Sequence, residues 1–244
     1  MLEFTTHKYF LFTRKEFWFY DGEKIKEGAY NVFSVAKKTY GANNNFLEKY
    51  KTSIIDLSKS EEELFNAIHP TFRYDIRAAE KQKIEYKTFV NPTKSECINL
   101  VHDYNLFAKS KQLPLMNMNR ILTIQKSGNI YITKALLQGN EISTHIYIFD
   151  KNVISLMTSF HNINFSTDKL RSEANKYLHW KDILLFKTRN FKQYDFGGLN
   201  LEKLPGVSKF KMNFGGETVE NIRFIKTSFF IYFLMTLYKI FRKI

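Results

Sequence analysis

The sequence predicts an α+β protein, built on an α/β mixed sheet with helices on its faces. From residue 84 the segments follow in the order strand, two helices, three strands, long helix, strand, short helix, strand. A mixed sheet covered by helices is the usual way to bury such elements. The 244 residues are 44% hydrophobic and 16% aromatic, which supplies a core and excludes a largely disordered chain.

The N-terminal segment is aromatic and β-branched. Residues 7–25, "HKYFLFTRKEFWFYDGEKI", predict a hairpin with its turn at the "YDG" of residues 20–22. The polar stretch "KKTYGANNNFLEKYK" then predicts a loop or boundary, and "TSIIDL" a short strand. We therefore expect a small N-terminal β-rich extension over residues 1–57.

Helical segments dominate the next part of the chain. Ser58 or Ser60 precedes an acidic run, which is typical of a capped helix N-terminus, and Pro70 predicts a kink or break. After the strand "IEYKTFV", the segment "KSECINLVHDYNLFAKSKQ" has an apolar stripe at helical spacing. Pro114 separates it from a shorter helix around "NMNRILTIQKS".

Three strands, "NIYITKALLQ", "EISTHIYIFD" and "NVISLMTSFH", are then predicted with hairpin turns at 139–140 and 150–152. The segment "TDKLRSEANKYLHWKDILLFKTRN" predicts a long helix, and "QYDF" a strand. A glycine-rich stretch and the strand "VENIRFI" follow. The chain has only ten glycines, and five of them lie between Gly197 and Gly216.

Charge and cysteine content limit the function classes. The formal net charge of +13 favours partners such as nucleic acid, phosphorylated small molecules or anionic membranes, without choosing among them. Cys97 is the single cysteine, which excludes an intramolecular disulfide and favours the cytosol; we interpret it as a buried apolar residue. The N-terminus lacks a signal-peptide pattern, so we expect a cytoplasmic protein.

Four motifs occur in a fixed order: "RYDIRAAEK" (73–81), "ANKYLHWKDILLFK" (174–187), "YDFGG" (194–198) and "GVSKFKMNFGG" (206–216). Together they resemble the FemAB-like (peptidoglycan bridge-forming aminoacyltransferase-like) branch of the GNAT acyltransferase superfamily, over roughly residues 52 to 225. The order of the elements is also that of the GNAT fold. The resemblance implies a GNAT-like acyltransferase domain over 58–226, with residues 1–57 as a remnant of a first such domain.

The resemblance implies an acyl- or aminoacyltransferase that modifies an amino group on a cell-envelope precursor, peptidoglycan or surface polysaccharide. Transfer is expected to be direct, without a covalent enzyme intermediate and without a tightly bound cofactor. The region "HNINFSTDKLRSEAN" lacks the usual GNAT pyrophosphate loop, so acyl-CoA and aminoacyl-tRNA both remain open as donors. The implied partners are a nucleotide-linked or lipid-linked glycan precursor and tRNA, and a homodimer would imitate the two-domain family members.

Two residues are candidates for catalysis. Asp195 ends a predicted strand, where it can accept the proton of the amine or orient the acceptor. The alternative for Asp195 is an Asx-type turn bond to the glycine backbone. His161 falls where another predicted strand ends, a reasonable place for a general base; a solvated or merely hydrogen-bonded histidine is the alternative.

The glycine-rich stretch contributes candidates for substrate binding. Backbone N–H groups around Gly197, Gly198 and Gly215 can form an anion-binding nest, to which Lys209 and Lys211 add charge. Alternatively, these glycines only let a strand turn sharply into a short helix and out again.

Other substrate-binding candidates lie on two predicted helices. Arg73 and Arg77 are spaced i and i+4, so they can clamp one phosphate, or else belong to a solvated face. Asn175 and His179 match the family pattern, although a helix that packs Trp180 into the core also explains them. No set of His, Cys, Asp and Glu residues has the sequence spacing of metal ligands, so we expect no metal.

The C-terminal segment 227–244 carries ten apolar or near-apolar residues followed by "KIFRKI". It is too short to span a bilayer, which needs about 20 residues. We expect a helix that either lies on the inner face of an anionic membrane or docks on the core of the protein. The competing hypothesis for the whole chain is a non-catalytic GNAT-fold protein that binds RNA or an anionic membrane.

Overall fold

The computed structural model describes residues 1–9, 12–26, 30–37, 46–165, 167–227, 230–231 and 233. Two compact units divide the chain: Met1–Tyr50 with Glu220–Ile244, and Lys51–Val219. Most of the predicted C-terminal helix 227–244 lies outside the described residues, so its place on a membrane or on the core stays a prediction.

Ten strands lie within the described residues: β1 (Leu2–Tyr9), β2 (Phe12–Trp18), β3 (Tyr30–Ala36), β4 (Phe46–Asp56), β5 (Glu85–Val90), β6 (Ile130–Leu137), β7 (Asn140–Asp150), β8 (Val153–His161), β9 (Gln193–Leu199) and β10 (Glu217–Thr227). The same residues form six helices: α1 (Glu61–Ala67), α2 (Pro70–Lys81), α3 (Lys94–Ser110), α4 (Met118–Lys126), α5 (Asp168–Thr188) and α6 (Pro205–Met212).

In the first unit, β1 pairs with β2 antiparallel, β2 with β3 parallel, and β3 with β10 antiparallel. A hairpin exists here, but it is formed by β1 and β2, and the predicted turn at the "YDG" of 20–22 is wrong, because those residues follow β2. Tyr20 is buried among Phe33 and Phe224, with ring centroids 5.1 and 6.2 Å away. The aromatic ring therefore serves the core of this unit and not a turn.

In the second unit, the strand order is β4-β9-β8-β7-β6-β5. All neighbours in this sheet are antiparallel except β8 and β9, which run parallel. The predicted α+β class with a mixed sheet is confirmed. The β6–β7 turn consists of Gln138 and Gly139, one residue earlier than predicted, and both have positive φ. Two residues of positive φ match the type I′ turn that joins twisted strands.

Helix starts in the second unit follow the capping chemistry. Ser60 caps α1 with a capping box to Glu63, and Pro70 opens a separate helix, α2, instead of kinking one. On α5, apolar side chains such as Leu178 and Phe186 enter the core, and Cys97 of α3 is fully buried. Helix α5 also buries Glu173, Lys176, His179 and Asp182, so the face that it turns to the protein interior is unusually polar.

Candidate active site

The two parallel strands in the middle of the second unit separate part-way along their length. Strands β8 and β9 are paired at three positions, the last of which joins Ser155 and Asp195. Near this point β8 also bulges against β7, because Tyr147 pairs with Leu156 whereas Ile146 pairs with Thr158. Beyond Asp195 the two strands are no longer paired, and we call this point the opening.

The buried Asp195 is held at this point by two contacts to its carboxylate. The N–H of Gly197 donates to Asp195 Oδ1 at 2.8 Å, and the Thr52 hydroxyl of β4 contacts the same carboxylate. The Thr52 hydroxyl also lies 2.8 Å from the carbonyl oxygen of Gly197. The alternative that we considered for Asp195, an Asx-type turn bond to the glycine backbone, is therefore present. This bond leaves its catalytic role a prediction, because the same bond would also hold a catalytic carboxylate in position.

Gly197 is required by the close approach of the strands. Its φ is +71°, and a Cβ at this position would lie 3.0 Å from the carbonyl oxygen of Leu156 on β8. The glycine therefore leaves room for the backbone of β8.

Lys211 reaches the same place from α6. Its ammonium donates to the carbonyl oxygen of Gly198 at 2.8 Å and lies 3.9 Å from where a Cβ of Gly197 would be. Burial lowers the pKa of Lys211, and the nearby Asp195 charge opposes that shift. An anion and a cation thus flank the separation of β8 and β9, while Lys209, two residues earlier on α6, is exposed.

The second glycine pair serves packing. A Cβ on Gly215, whose φ is +77°, would lie 2.5 Å from the carbonyl oxygen of Ala67, and one on Gly216 would lie 2.5 Å from Ser53 Oγ. The clustering of glycines in the sequence therefore has two physical causes. One pair borders the site, and the other lets the chain after α6 pass close to α1 and β4; anion binding by Gly215 stays a prediction.

His179 of α5 lies beneath the opening in an aromatic surround. Its ring centroid is 5.0 Å from that of Phe196, 5.2 Å from Phe214 and 5.6 Å from Phe210. Burial, then His145, then Lys211 lower the pKa of His179 well below its usual value. The imidazole is therefore neutral near pH 7.

A buried polar network continues below His179. Asp182 accepts hydrogen bonds from Tyr86 at 2.9 Å, Tyr147 at 2.6 Å and the Nδ1 of His145 at 2.7 Å. Tyr147 and Tyr194 lie 2.8 Å apart through their hydroxyl oxygens. The network joins β5, β7, β9 and α5, so it couples the elements around the site.

The half-buried Asn175 is the outer member of this network, since its Oδ1 is 2.7 Å from His145 Nε2. Asp182 and Tyr194 were not predicted from the sequence as members of this network. A signal for Asp182 was available, because Asn175, His179 and Asp182 follow at helical spacing on one face of α5.

His145, His179 and Asp182 offer metal-ligand atoms within 4.8 Å of one another, although their sequence spacing did not suggest it. Three of these atoms already hydrogen bond within the protein: His145 Nδ1 to Asp182, His145 Nε2 to Asn175, and His179 Nδ1 to Tyr194 at 2.8 Å. A metal ion bound by His145 would have to break one of the two hydrogen bonds of that ring. The geometry is that of a hydrogen-bond network.

The other predicted site residues lie away from Asp195. His161 is six residues beyond Ser155 on β8, or about 20 Å along an extended strand. It packs on Phe107 of α3 with ring centroids 4.9 Å apart, and burial, followed by the charges of Arg171 and Lys111, lowers its pKa. The structure does not bring the two predicted catalytic residues together.

Arg73 and Arg77 of α2 are engaged with α1. The guanidinium of Arg73 donates to Asn66 Oδ1 at 3.1 Å, and that of Arg77 lies 5.2 Å from the ring centroid of Phe65. A phosphate clamp by these two arginines stays a prediction.

Comparison with known proteins supports the fold. No family model and no curated protein matches the sequence. Among solved structures, FemX is similar with a TM-score of 0.58 and 12% identity, over 71% of this chain and 61% of the FemX chain. The chain thus spans about three fifths of FemX.

Two further solved structures are similar. The C-terminal domain of a putative lysylphosphatidylglycerol synthetase from Agrobacterium fabrum has a TM-score of 0.53 and 8% identity, over 86% of this chain and 71% of that one. L-PGS from Bacillus licheniformis has a TM-score of 0.52 and 11% identity, over 85% and 71%. This chain shares their fold. At such identities the likeness concerns architecture alone.

Helix length and polarity were also compared with those of membrane spans. Within the described ranges, none of the helices combines the length and the apolar character that crossing a membrane requires.

Proposed function

We propose that the chain is a FemAB-like, GNAT-type transferase that moves an acyl or aminoacyl group directly onto an amino group of a cell-envelope precursor. The observation that carries this proposal is that Lys211 reaches the stretch of β9 just beyond Asp195, where the pairing of β8 and β9 ends. The fold similarity to FemX, to the domain of the putative lysylphosphatidylglycerol synthetase and to L-PGS supports it.

Lys211 has the position and charge to stabilise the developing oxyanion. When an amine attacks an ester or thioester carbonyl, the C–N bond forms, negative charge collects on the carbonyl oxygen, and the C–O or C–S bond then breaks. A half-buried ammonium acts on that charge in a medium of low dielectric constant, where its effect is larger than in water. The contact to the carbonyl oxygen of Gly198 holds the ammonium at the opening.

Asp195 has the complementary role towards the attacking amine. Its carboxylate can orient the amino group and take the proton that the nitrogen loses. No covalent step on the enzyme is needed, and Cys97 is no nucleophile candidate, because it is buried on α3 and burial raises the pKa of its thiol to about 11. Direct transfer is the chemistry that these residues can support.

Acyl-CoA and aminoacyl-tRNA are the two donor classes to test, with a nucleotide-linked or lipid-linked glycan precursor as acceptor. One of the similar structures is a domain named as a putative lysylphosphatidylglycerol synthetase, so phosphatidylglycerol, whose acceptor group is a hydroxyl, belongs in the same test as an alternative acceptor. Cytoplasmic action at the inner membrane face through residues 227–244, and a homodimer, are further parts of the proposal that await measurement.

A thermal-shift titration followed by a transfer assay tests the proposal. The purified chain is titrated with acetyl-CoA, CoA, aminoacyl-tRNA, a UDP-linked amino sugar and phosphatidylglycerol micelles. A ligand at about 100 times its dissociation constant adds about 2.7 kcal/mol of stability. Each donor that binds is then combined with each acceptor that binds, and acyl transfer is measured by mass spectrometry. Binding of a donor with transfer to an amine is expected; no binding and no transfer across the set would contradict the proposal.

The net charge of +13 favours a second candidate, a non-catalytic protein that grips RNA or an anionic membrane. Such a purely electrostatic binder would lose affinity steeply between low and moderate salt, whatever the RNA sequence. Binding of this kind without acyl transfer would favour the second candidate over the first.

A further inference from the structure

Four buried side chains form a continuous hydrogen-bonded chain that ends beside the candidate site. His179 Nδ1 is 2.8 Å from the Tyr194 hydroxyl, which is 2.8 Å from the Tyr147 hydroxyl, which is 2.6 Å from Asp182 Oδ2. All four side chains are at most 1% exposed. At these distances each pair of polar atoms is joined by a hydrogen bond, in which one of the two atoms donates the proton.

The number of protons fixes the direction of the chain. The carboxylate of Asp182 only accepts, so Tyr147 donates its single hydroxyl proton there. The oxygen of Tyr147 must then accept from Tyr194, and the oxygen of Tyr194 must accept from His179 Nδ1. Burial raises the pKa of both tyrosines far above the usual value, so neither gives up its proton.

The tautomer of His179 follows from this direction. The ring is neutral and carries its one proton on Nδ1, so Nε2 has a free lone pair. Among the residues that the structure describes, no group hydrogen bonds to Nε2. The ring lies among phenylalanines of the site, and Lys211 is the site's charged group that acts on it.

We propose that Tyr147 and Tyr194 are positioning residues, which lock His179 in the Nδ1–H tautomer so that the ring presents a lone pair and not an N–H bond to the site beside Lys211. A lone pair attracts an ammonium ion, whereas an N–H bond repels it. The protonated Lys211 is thereby stabilised where the cation is needed. The link to catalysis rests on the proposed function; the tautomer itself does not.

The substitution Tyr147→Phe, at a fully buried position, tests whether the hydrogen-bonded chain fixes the tautomer of His179. Tyr194 then loses the oxygen to which it donated, and its remaining partner is His179 Nδ1. We expect Tyr194 to donate to Nδ1, which moves the imidazole proton to Nε2. Long-range ¹H–¹⁵N spectra of protein with ¹⁵N-labelled histidine report which ring nitrogen carries the proton, and His179→Gln assigns the signals.

Tyr86→Phe is the matched control. Tyr86 also donates to Asp182, at 2.9 Å, but it is not on the path to His179. Tyr86→Phe therefore also removes a hydroxyl that donates to Asp182, and we expect His179 to keep the Nδ1–H tautomer in this variant. The proposal is refuted if His179 keeps the Nδ1–H tautomer in Tyr147→Phe, or if its proton moves to Nε2 equally in Tyr86→Phe. Should Tyr147→Phe fail to fold, Tyr194→Phe removes the partner of Nδ1 directly, and an unchanged single tautomer would refute the proposal.

The effect on Lys211 is a second readout, one that a merely structural role would not change. Titration of ¹³C-labelled lysine should show a lower midpoint for Lys211 in Tyr147→Phe and an unchanged one in Tyr86→Phe. A tautomer switch without this shift would refute the link to Lys211. Neither NMR result requires a substrate, so a failure here is distinguishable from the absence of acyl transfer, which would count against the proposed function.

Discussion

The candidate site consists of two layers that are held together in different ways. The rim, formed by Asp195, Gly197, Gly198 and Lys211, is charged and is held largely by contacts to backbone groups. The layer beneath, formed by His179, Tyr194, Tyr147 and Asp182, is buried, as Asp195 also is, and is held by side chains that hydrogen bond to one another. The rim has the charges that chemistry needs, whereas the buried layer fixes their surroundings. We therefore expect substitutions in the rim to lower activity and substitutions in the layer beneath to lower stability.

Loss of the Asp182 carboxylate is expected to have the largest effect on stability. Asp182→Ala leaves Tyr86, Tyr147 and His145 without their shared acceptor in a fully buried place. Removing one partner from such a buried network costs about 3–5 kcal/mol. The free energy of unfolding in urea measures the loss. Asp168→Ala, at an almost fully exposed position, is the control and should change little; equal stabilities would show that the buried layer is not structural.

The packing role of Gly215 can be tested by adding a Cβ there and at a glycine that packs against nothing. Gly215→Ala places a Cβ 2.5 Å from a backbone oxygen at a φ of +77°, so we expect a loss of about 2–4 kcal/mol. Gly206 lies in the first turn of α6 and would meet nothing within 4 Å. Gly206→Ala should be neutral or stabilising by up to about 1 kcal/mol. Thermal unfolding of both variants measures the difference, and similar losses would contradict the packing role of Gly215.

The neutral, buried His179 predicts a dependence of stability on pH. Its folded-state pKa is lowered, so the unfolded chain binds the proton more readily below about pH 6.5. Stability should fall as the pH drops below that value, with this residue contributing at most about 1.4 kcal/mol per pH unit. Urea unfolding from pH 7.5 to 5 measures it. The decline should be shallower in His179→Gln and unchanged in His102→Gln, an exposed control; identical slopes in all three would contradict the assignment.

Much of the fold was predictable because local chemistry determined it. Ser60 formed the expected cap, Pro70 separated two helices, and alternating segments paired as β6, β7 and β8. The turn at 20–22 was wrong, since the burial of Tyr20 depends on partners such as Phe224, some 200 residues away. A local pattern cannot reveal such a contact.

The site was predictable only in part. The motif around Lys211 and the predicted strand end at Asp195 drew attention to the rim. The strand end was wrong, because β9 continues to Leu199; Asp195 lies instead where the pairing of β8 and β9 ends. The grouping of Asp182 with Tyr86, Tyr147 and Tyr194 depends on the register of three strands against α5, which no single segment specifies. His161, by contrast, ends its strand as predicted, yet the length of β8 carries it away from Asp195.

Comparing Lys211→Met with Lys209→Met in the transfer assay tests the central claim most directly. Both lysines lie on α6, two residues apart, but only Lys211 reaches the opening between β8 and β9. Loss of one oxyanion-stabilising group lowers turnover by about 100- to 1000-fold. We predict that loss for Lys211→Met and a change of less than about threefold for the exposed Lys209→Met, with both variants folded. Full activity in Lys211→Met would contradict the assignment of this site.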